Sequence, residues 1–140
     1  MTIATSTDTP FPSTAVTWGS GTPIPGTPFR ELVATAETGG RLVVLAADMP
    51  AGEVVPEHTH TDEDQIIVVI SGEVLATRGD EAIRMGPGSV AFFPRGIPHS
   101  LRNAGTEPAG VLDLYTPGGF ERVFVEDGAR RVASTGPDAR

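Results

Sequence analysis

The chain has 140 residues, enough for one domain with a real core. Its net charge of −8 argues against nucleic acid or an anionic membrane as a partner, and the absence of cysteine excludes disulfides, thiolate ligands and thiol nucleophiles. All ten basic residues are arginine, so lysine Schiff-base chemistry is excluded too, and Gly 17 with Pro 13 favours short strands and tight turns over a helical bundle. Met1 to Pro10 shows neither a basic stretch nor an apolar one, and no apolar run approaches membrane-spanning length, so the expectation is a soluble cytoplasmic protein.

Residues 1–28 are rich in Thr, Ser, Pro and Gly and read as an extended arm. Either this arm is a flexible tail, or it packs along the domain or across a dimer partner through Phe11, Val16 and Trp18. The domain proper spans 29–128. Phe29–Glu37 alternates loosely as a strand, and Gly39-Gly40 reads as a hairpin turn. Leu42–Leu45 suits a strand buried on both faces, and Ile66–Ile70 is strongly β-branched up to Ser71-Gly72. Glu73–Arg78 and Glu81–Met85 flank the two-residue loop Gly79-Asp80. Val90–Phe93, His99–Asn103 and Val111–Tyr115 complete an antiparallel sandwich or barrel. Only Gly119–Gly128 looks helical, and 129–140 reads as a loose tail. Phe92, Phe93, Leu101, Ile67 and Val69 are expected in the core, some of them lining a pocket.

The three histidines, His58, His60 and His99, are the only ones in the chain. Neutral imidazole is the commonest side-chain ligand for transition metals. Residues i and i+2 of a strand share a face, so His58 and His60 are expected to converge while Thr59 points away. Gln65 begins the next strand and shares its face with Ile67 and Val69. His99 begins a later one. Together they could cap a single divalent ion, with water in the open positions. Asp62-Glu63-Asp64 reads first as a solvated acidic turn. The functional alternative makes Glu63 or Asp64 a base at the site's mouth. Asp113 and Tyr115 share a strand face; they are acid/base candidates if it is inward, and the plainer reading has them outward and solvated. Arg95 reads as a surface residue rather than a substrate clamp.

The segments Gly52-Glu-Val-Val-Pro-Glu-His58-Thr-His60 and Gly88-Ser-Val-Ala-Phe-Phe-Pro94-Arg-Gly96-Ile-Pro-His99, with Gln65, Gly72 and Asn103, resemble the two motifs of the cupins. The run from Asn103 to Glu121 further resembles small quercetin-dioxygenase-like members. The resemblance covers roughly residues 40–127. It implies an all-β jelly-roll barrel with one metal at its mouth, held by His58, His60, Gln65 and His99, and a homodimer. One departure stands out: the family usually has Glu where this chain has Gln65. A neutral amide is a weaker ligand and cannot act as a base.

The resulting expectation is a cupin enzyme using Fe, Mn, Ni or Zn on a small enol, diketone or hydroxy-ketone. Isomerisation or cyclisation with the ion as Lewis acid is favoured, with Glu63, Asp64 and Tyr115 as acid/base candidates. Quercetinase-like dioxygenation is the alternative reaction, and a non-catalytic ligand-binding cupin the alternative class.

Overall fold

A computed structural model describes residues 14–126. It contains ten strands: β1 (Thr22–Pro23), β2 (Phe29–Val33), β3 (Val43–Met49), β4 (Val54–His58), β5 (Asp64–Ser71), β6 (Val74–Arg78), β7 (Glu81–Met85), β8 (Val90–Phe93), β9 (His99–Arg102) and β10 (Ala109–Thr116). They form two antiparallel sheets, ordered β1-β2-β3-β10-β5-β8 and β4-β9-β6-β7. This is the antiparallel sandwich that the short, regularly spaced strands predict, in the jelly-roll form that the resemblance to cupins implies. Among the described residues no helix is long and apolar enough to cross a membrane.

Register explains what the interior contains. In β5, Gln65, Ile67 and Val69 are buried, whereas Ile66 and Val68 are half-buried and Ile70 is exposed on the outer face. β10 pairs with both β5 and β3, so Val111, Asp113 and Tyr115 enter the same interior as Val43, Leu45 and Ala47. The opposing sheet contributes Val74, Ala76, Met85 and Leu101. Each large apolar side chain so buried contributes about 1.5–3 kcal/mol. Phe93 belongs to this core, but Phe92 does not: it is 49% exposed on the outer face beside Val90. Adjacent strand residues point oppositely, so only one of the two phenylalanines can be inside.

Two glycines are fixed by close approach. At Gly72, φ is +76°, and a Cβ would lie 2.8 Å from the Ala109 Cα. At Gly110 a Cβ would lie 2.8 Å from the Trp18 ring, which covers that backbone. Trp18 Nε1 donates to the Val111 carbonyl at 3.0 Å, and the Arg30 guanidinium stacks 4.7 Å above the indole. The arm therefore packs along the sheet at Trp18. Val16 is exposed, and Phe11 lies outside the described residues, as does the 129–140 segment.

Two local expectations are corrected. The strand expected over Phe29–Glu37 ends at Val33 and gives way to a 3-10 turn, Thr35–Thr38. Thr35 Oγ1 donates to Glu121 Oε1 at 2.6 Å and accepts from Gly119 N, so the turn anchors the returning C-terminal segment. The strand that begins near Leu42 runs on to Met49 as a central strand of its sheet. The expected C-terminal helix is present over 121–126, and 127–128 of the expected span lie outside the described residues.

Candidate metal centre and its cavity

β4 carries His58 at its end. Pro56 cannot donate to a sheet ladder, and the β4–β9 pairing slips between Val55 and His58. His60 is therefore not on the same regular strand as expected. It follows in a loop, where its carbonyl accepts from Gly96 N at 2.7 Å. This contact ties the first histidine segment to the turn that precedes His99. The paired residues His58 and His99 then bring all three rings together, with His58–His60 centroids 4.8 Å and His58–His99 centroids 4.3 Å apart.

The tautomers follow from what the rings touch. His58 Nδ1 donates to the Pro56 carbonyl at 2.8 Å, and His99 Nδ1 donates to the Ile97 carbonyl at 3.1 Å. A carbonyl only accepts, so both rings keep the lone pair on Nε2. Phe93 stacks on His99 at 4.6 Å and 14° and fixes its plane. His60 Nε2 is buried and has no hydrogen-bond partner among the described residues. The candidate ligand atoms of the three histidines lie within 4.8 Å of one another. Nitrogens at roughly 2.1 Å from one ion are at most about 4.2 Å apart, so a shift of about half an ångström closes the set.

Gln65 completes the arrangement. Its Nε2 donates to Asp113 Oδ1 at 2.7 Å and to the Tyr115 hydroxyl oxygen at 3.1 Å. Both amide hydrogens are thereby used, and Oε1 faces His99 Nε2 at 2.7 Å. A neutral His99 would oppose two lone pairs across that gap. A shared cation or an additional proton reconciles them. Burial lowers the His99 pKa and disfavours the proton. The His60 pKa falls to about 4, first through burial and then through the neighbouring His58 and His99. The donor set, three neutral imidazoles and an amide oxygen, thus fits a divalent transition ion; ligand type alone does not choose among Fe, Mn, Ni and Zn.

Asp113 and Tyr115 point inward, against the plainer expectation that they are solvated. Burial lifts the Asp113 pKa to about 7, with the hydrogen bonds from Gln65 and Tyr115 pulling the other way. Burial, then the Asp113 charge, raises the Tyr115 pKa well above the usual phenol value. Asp64 is not at the mouth. Gln65 faces inward, so its neighbour in β5 faces out, where Asp64 accepts from Arg95 N at 2.9 Å and pairs with the guanidinium at 3.2 Å. That hydrogen bonding lowers the Asp64 pKa. Arg95 is the surface residue expected. Glu63 does not line the cavity either; partial burial, then Asp62, raises its pKa.

The cavity beside the histidines has a volume of about 450 Å³. His58, His60, Gln65, Asp113 and Tyr115 line it together with Phe29, Met49, Leu101, Phe120 and Phe124. Phe120 packs on His60 at 4.5 Å and on Tyr115 at 4.6 Å, and Phe124 packs on Phe29 at 4.2 Å. The spacing of Phe120 and Phe124 by four residues was the available signal that one helical face would cover the pocket. Asp113 and this aromatic wall are the parts that the ligand motifs do not announce.

The cupin domain family matches residues 46–115, half of the chain. Among curated proteins, the chain is similar to the tetracenomycin polyketide synthase protein TcmJ of Streptomyces glaucescens, 30% identical over 70 residues, covering 50% of this chain and 47% of that protein. It is similar to the quercetin 2,3-dioxygenase of Bacillus subtilis (strain 168), 27% identical over 97 residues, covering 68% of this chain and 28% of that one. The chain spans about half or less of the length of these relatives. Among solved structures, TT1209 from Thermus thermophilus superposes with TM-score 0.53 at 31% identity, covering 56% of this chain and 74% of that one. KdgF from Halomonas sp. superposes with TM-score 0.60 at 22% identity, covering 67% and 81%, a likeness of fold alone. With both histidine segments on one jelly roll and the family match spanning the strands that carry Gln65, His99 and Tyr115, the chain belongs to the cupin superfamily.

Proposed function

We propose that the protein is a metal-dependent enzyme that isomerises or cyclises a small enol, diketone or hydroxy-ketone. The observation that carries this reading is the hydrogen bonding of Gln65. The amide presents only oxygen to the histidine cluster, while its nitrogen holds Asp113 and Tyr115. A carboxylate at position 65 would combine ligand and base in one side chain. Here the two roles are separated: the amide completes the donor set, and Asp113, behind it on the cavity wall, is the ionisable group.

His58, His60, His99 and Gln65 would hold the ion, whose charge supplies Lewis-acid polarisation of substrate oxygens. Asp113, with a pKa near 7, can hold or release a proton at Oδ1 or Oδ2 close to neutral pH. Tyr115 remains a neutral phenol over the same range and orients Gln65 and Asp113 through its hydroxyl. The apolar walls exclude water and strengthen these interactions. Similarity to the polyketide synthase protein TcmJ supports an oxygenated carbon skeleton as substrate.

A second reaction, dioxygenation, is favoured by the similarity over 97 residues to quercetin 2,3-dioxygenase. One experiment separates the two. Metal-loaded protein is incubated in D2O with an enolisable diketone, and proton exchange at the carbon between the carbonyls is followed by NMR beside an oxygen electrode. Accelerated exchange without oxygen uptake is the expected result. Oxygen uptake in step with substrate loss would instead establish the dioxygenase reading. Neither response, across diketone and hydroxy-ketone probes, would leave a binding protein.

A further inference from the structure

The two sheets differ on their outer faces. An antiparallel sheet with one face on the core and one in water carries polar residues outward. The sheet β4-β9-β6-β7 obeys this rule: Thr77 and Ser100 hydrogen-bond to each other on its outer face, and Arg84 pairs there with Glu73. The sheet that contains β10, β5 and β8 does not. Its register sets two apolar rows outward across three strands, Leu112–Val68–Val90 and Leu114–Ile66–Phe92. Val90 is 65% exposed, Phe92 49%, and Ile70, further along β5 on the same face, 40%. Three strands about 4.8 Å apart, the longest of them about 26 Å, make a patch of roughly 370 Å². An exposed apolar patch of that order marks a surface that something covers.

The chain itself covers only the neighbouring part of this sheet. Trp18 lies on Gly110, Arg30 stacks on the indole, and Ala46, which pairs with Arg30 and Leu112, is fully buried. The cover stops there, because Thr14 to Thr17, which lead into Trp18, are exposed. Charge decides what fits the rest. The net charge is −8, so two copies repel over most of their surface. The two rows carry no charge. Asp64 pairs with Arg95 at one end of them and Arg30 with Asp48 at the other, so each end shows both signs and no excess of either. An apolar centre between polar ends is how interfaces are built. A strongly charged partner finds no complement on this face, whereas a second copy meets apolar rows like its own and opposite signs at the ends.

We propose that the outer face of β10, β5 and β8 is the surface by which two copies of this chain associate, related by a two-fold axis that sets the same rows against each other. The interface backs the histidine site. Ile66 and Phe92 alternate with Gln65 and Phe93 on the same two paired strands, and Phe93 stacks on the His99 ring. The assignment does not rest on any reading of the reaction or of the metal.

Sedimentation velocity of the full-length protein over a range of concentrations tests it, with wild type, Val90→Arg, Phe92→Arg and Ala82→Arg side by side. Val90 and Phe92 are exposed in the single chain, so arginine fits at either position without entering the core. Circular dichroism checks the fold of each variant, and Val90→Arg decides alone if Phe92→Arg does not fold. Wild type is expected to sediment as a dimer at micromolar concentration. Val90→Arg and Phe92→Arg should each weaken association at least roughly thirtyfold, because each buries an unpaired charge at the centre of the interface. Ala82→Arg, at an exposed position of β7 in the other sheet, should leave the dimer intact. A monomeric wild type would overturn the proposal and leave the face to a different protein. A dimer that survives both arginines, or one that Ala82→Arg dissociates equally well, would also overturn it. So would a wild-type monomer that associates only once residues 1–13 are deleted, and those residues would then be the cover.

Discussion

Asp113 is the residue whose environment departs furthest from what its type prefers. It is 4% exposed in a wall of apolar strands, and its pKa rises from 3.8 to about 7 through burial. The folded, metal-free protein therefore binds more protons than the unfolded chain between roughly pH 4 and pH 7. Its contribution is favourable below that window and is lost as the pH rises through the folded value. Asp113→Asn removes the ionisation and keeps the shape. In chelator-treated protein, urea denaturation should show the variant gaining on wild type as the pH rises from 5 to 8, by at most roughly 3 kcal/mol. A difference that does not change with pH would contradict a buried titrating carboxyl. His60 acts in the opposite sense. Its pKa is depressed to about 4, so its contribution is full above pH 6.5 and is lost as the pH falls towards 4. The ligand residues were legible because imidazole chemistry and motif spacing point the same way. Asp113 was not. In Val111-Leu-Asp-Leu-Tyr115 the two leucines look like the core face, yet they are the half-buried outer ones, and the polar residues face in. A local pattern broken in this way is what a functional interior imposes.

At the scale of elements, the short helix 121–126 and the turn before it matter more than their length suggests. Phe120 and Phe124 close the cavity against His60, Tyr115 and Phe29. The segment is anchored through Glu121, whose carboxylate accepts from Thr35 Oγ1 and, at 3.0 Å, from Gly119 N. Aromatic packing of Phe124 on Phe29 and Tyr115 holds the helical residues 121–126 on the barrel. Phe124→Ala should destabilise the protein by about 2 kcal/mol, less than the 3–5 kcal/mol of a fully buried phenylalanine because Phe124 is half-buried. It should also enlarge the pocket, and thermal denaturation measures the first effect. An unchanged melting temperature would show that the helix does not rest on this contact. Most strands could be read from β-branched runs and Gly or Pro punctuation, as with Ile66–Ile70 and the Gly79-Asp80 hairpin. The 3-10 turn Thr35–Thr38 could not. Its reason is Glu121, 86 positions away in the chain, and a local window does not contain it.

For the whole molecule, the arrangement is economical of polar groups. Two sheets enclose an interior in which, among the described residues, the buried polar side chains belong to the histidine cluster, its Gln65–Asp113–Tyr115 support, or the anchors Asn103 and Glu121. The architecture was legible because many short strands without a helical period leave few alternatives to a sandwich. The cavity's shape was not, since it depends on which of two apolar faces each strand turns inward. The outer face of β5 and β8 is as apolar as the inner one, with Val90 65% exposed, and sequence alternation cannot separate them.

The central claim is that the three histidines and Gln65 hold a divalent transition ion. Metal analysis of protein purified without chelators tests it, with wild type, His60→Ala, His99→Ala and Gln65→Glu side by side. Wild type should carry close to one equivalent of iron, manganese, nickel or zinc per chain. Each histidine variant should lose most of it, on the order of ten- to a hundredfold in affinity or more. Gln65→Glu should retain it, since a carboxylate oxygen replaces an amide oxygen. Wild-type protein that is free of metal and takes none up on dialysis against these ions, or a His60→Ala variant that binds as tightly as wild type, would contradict the claim.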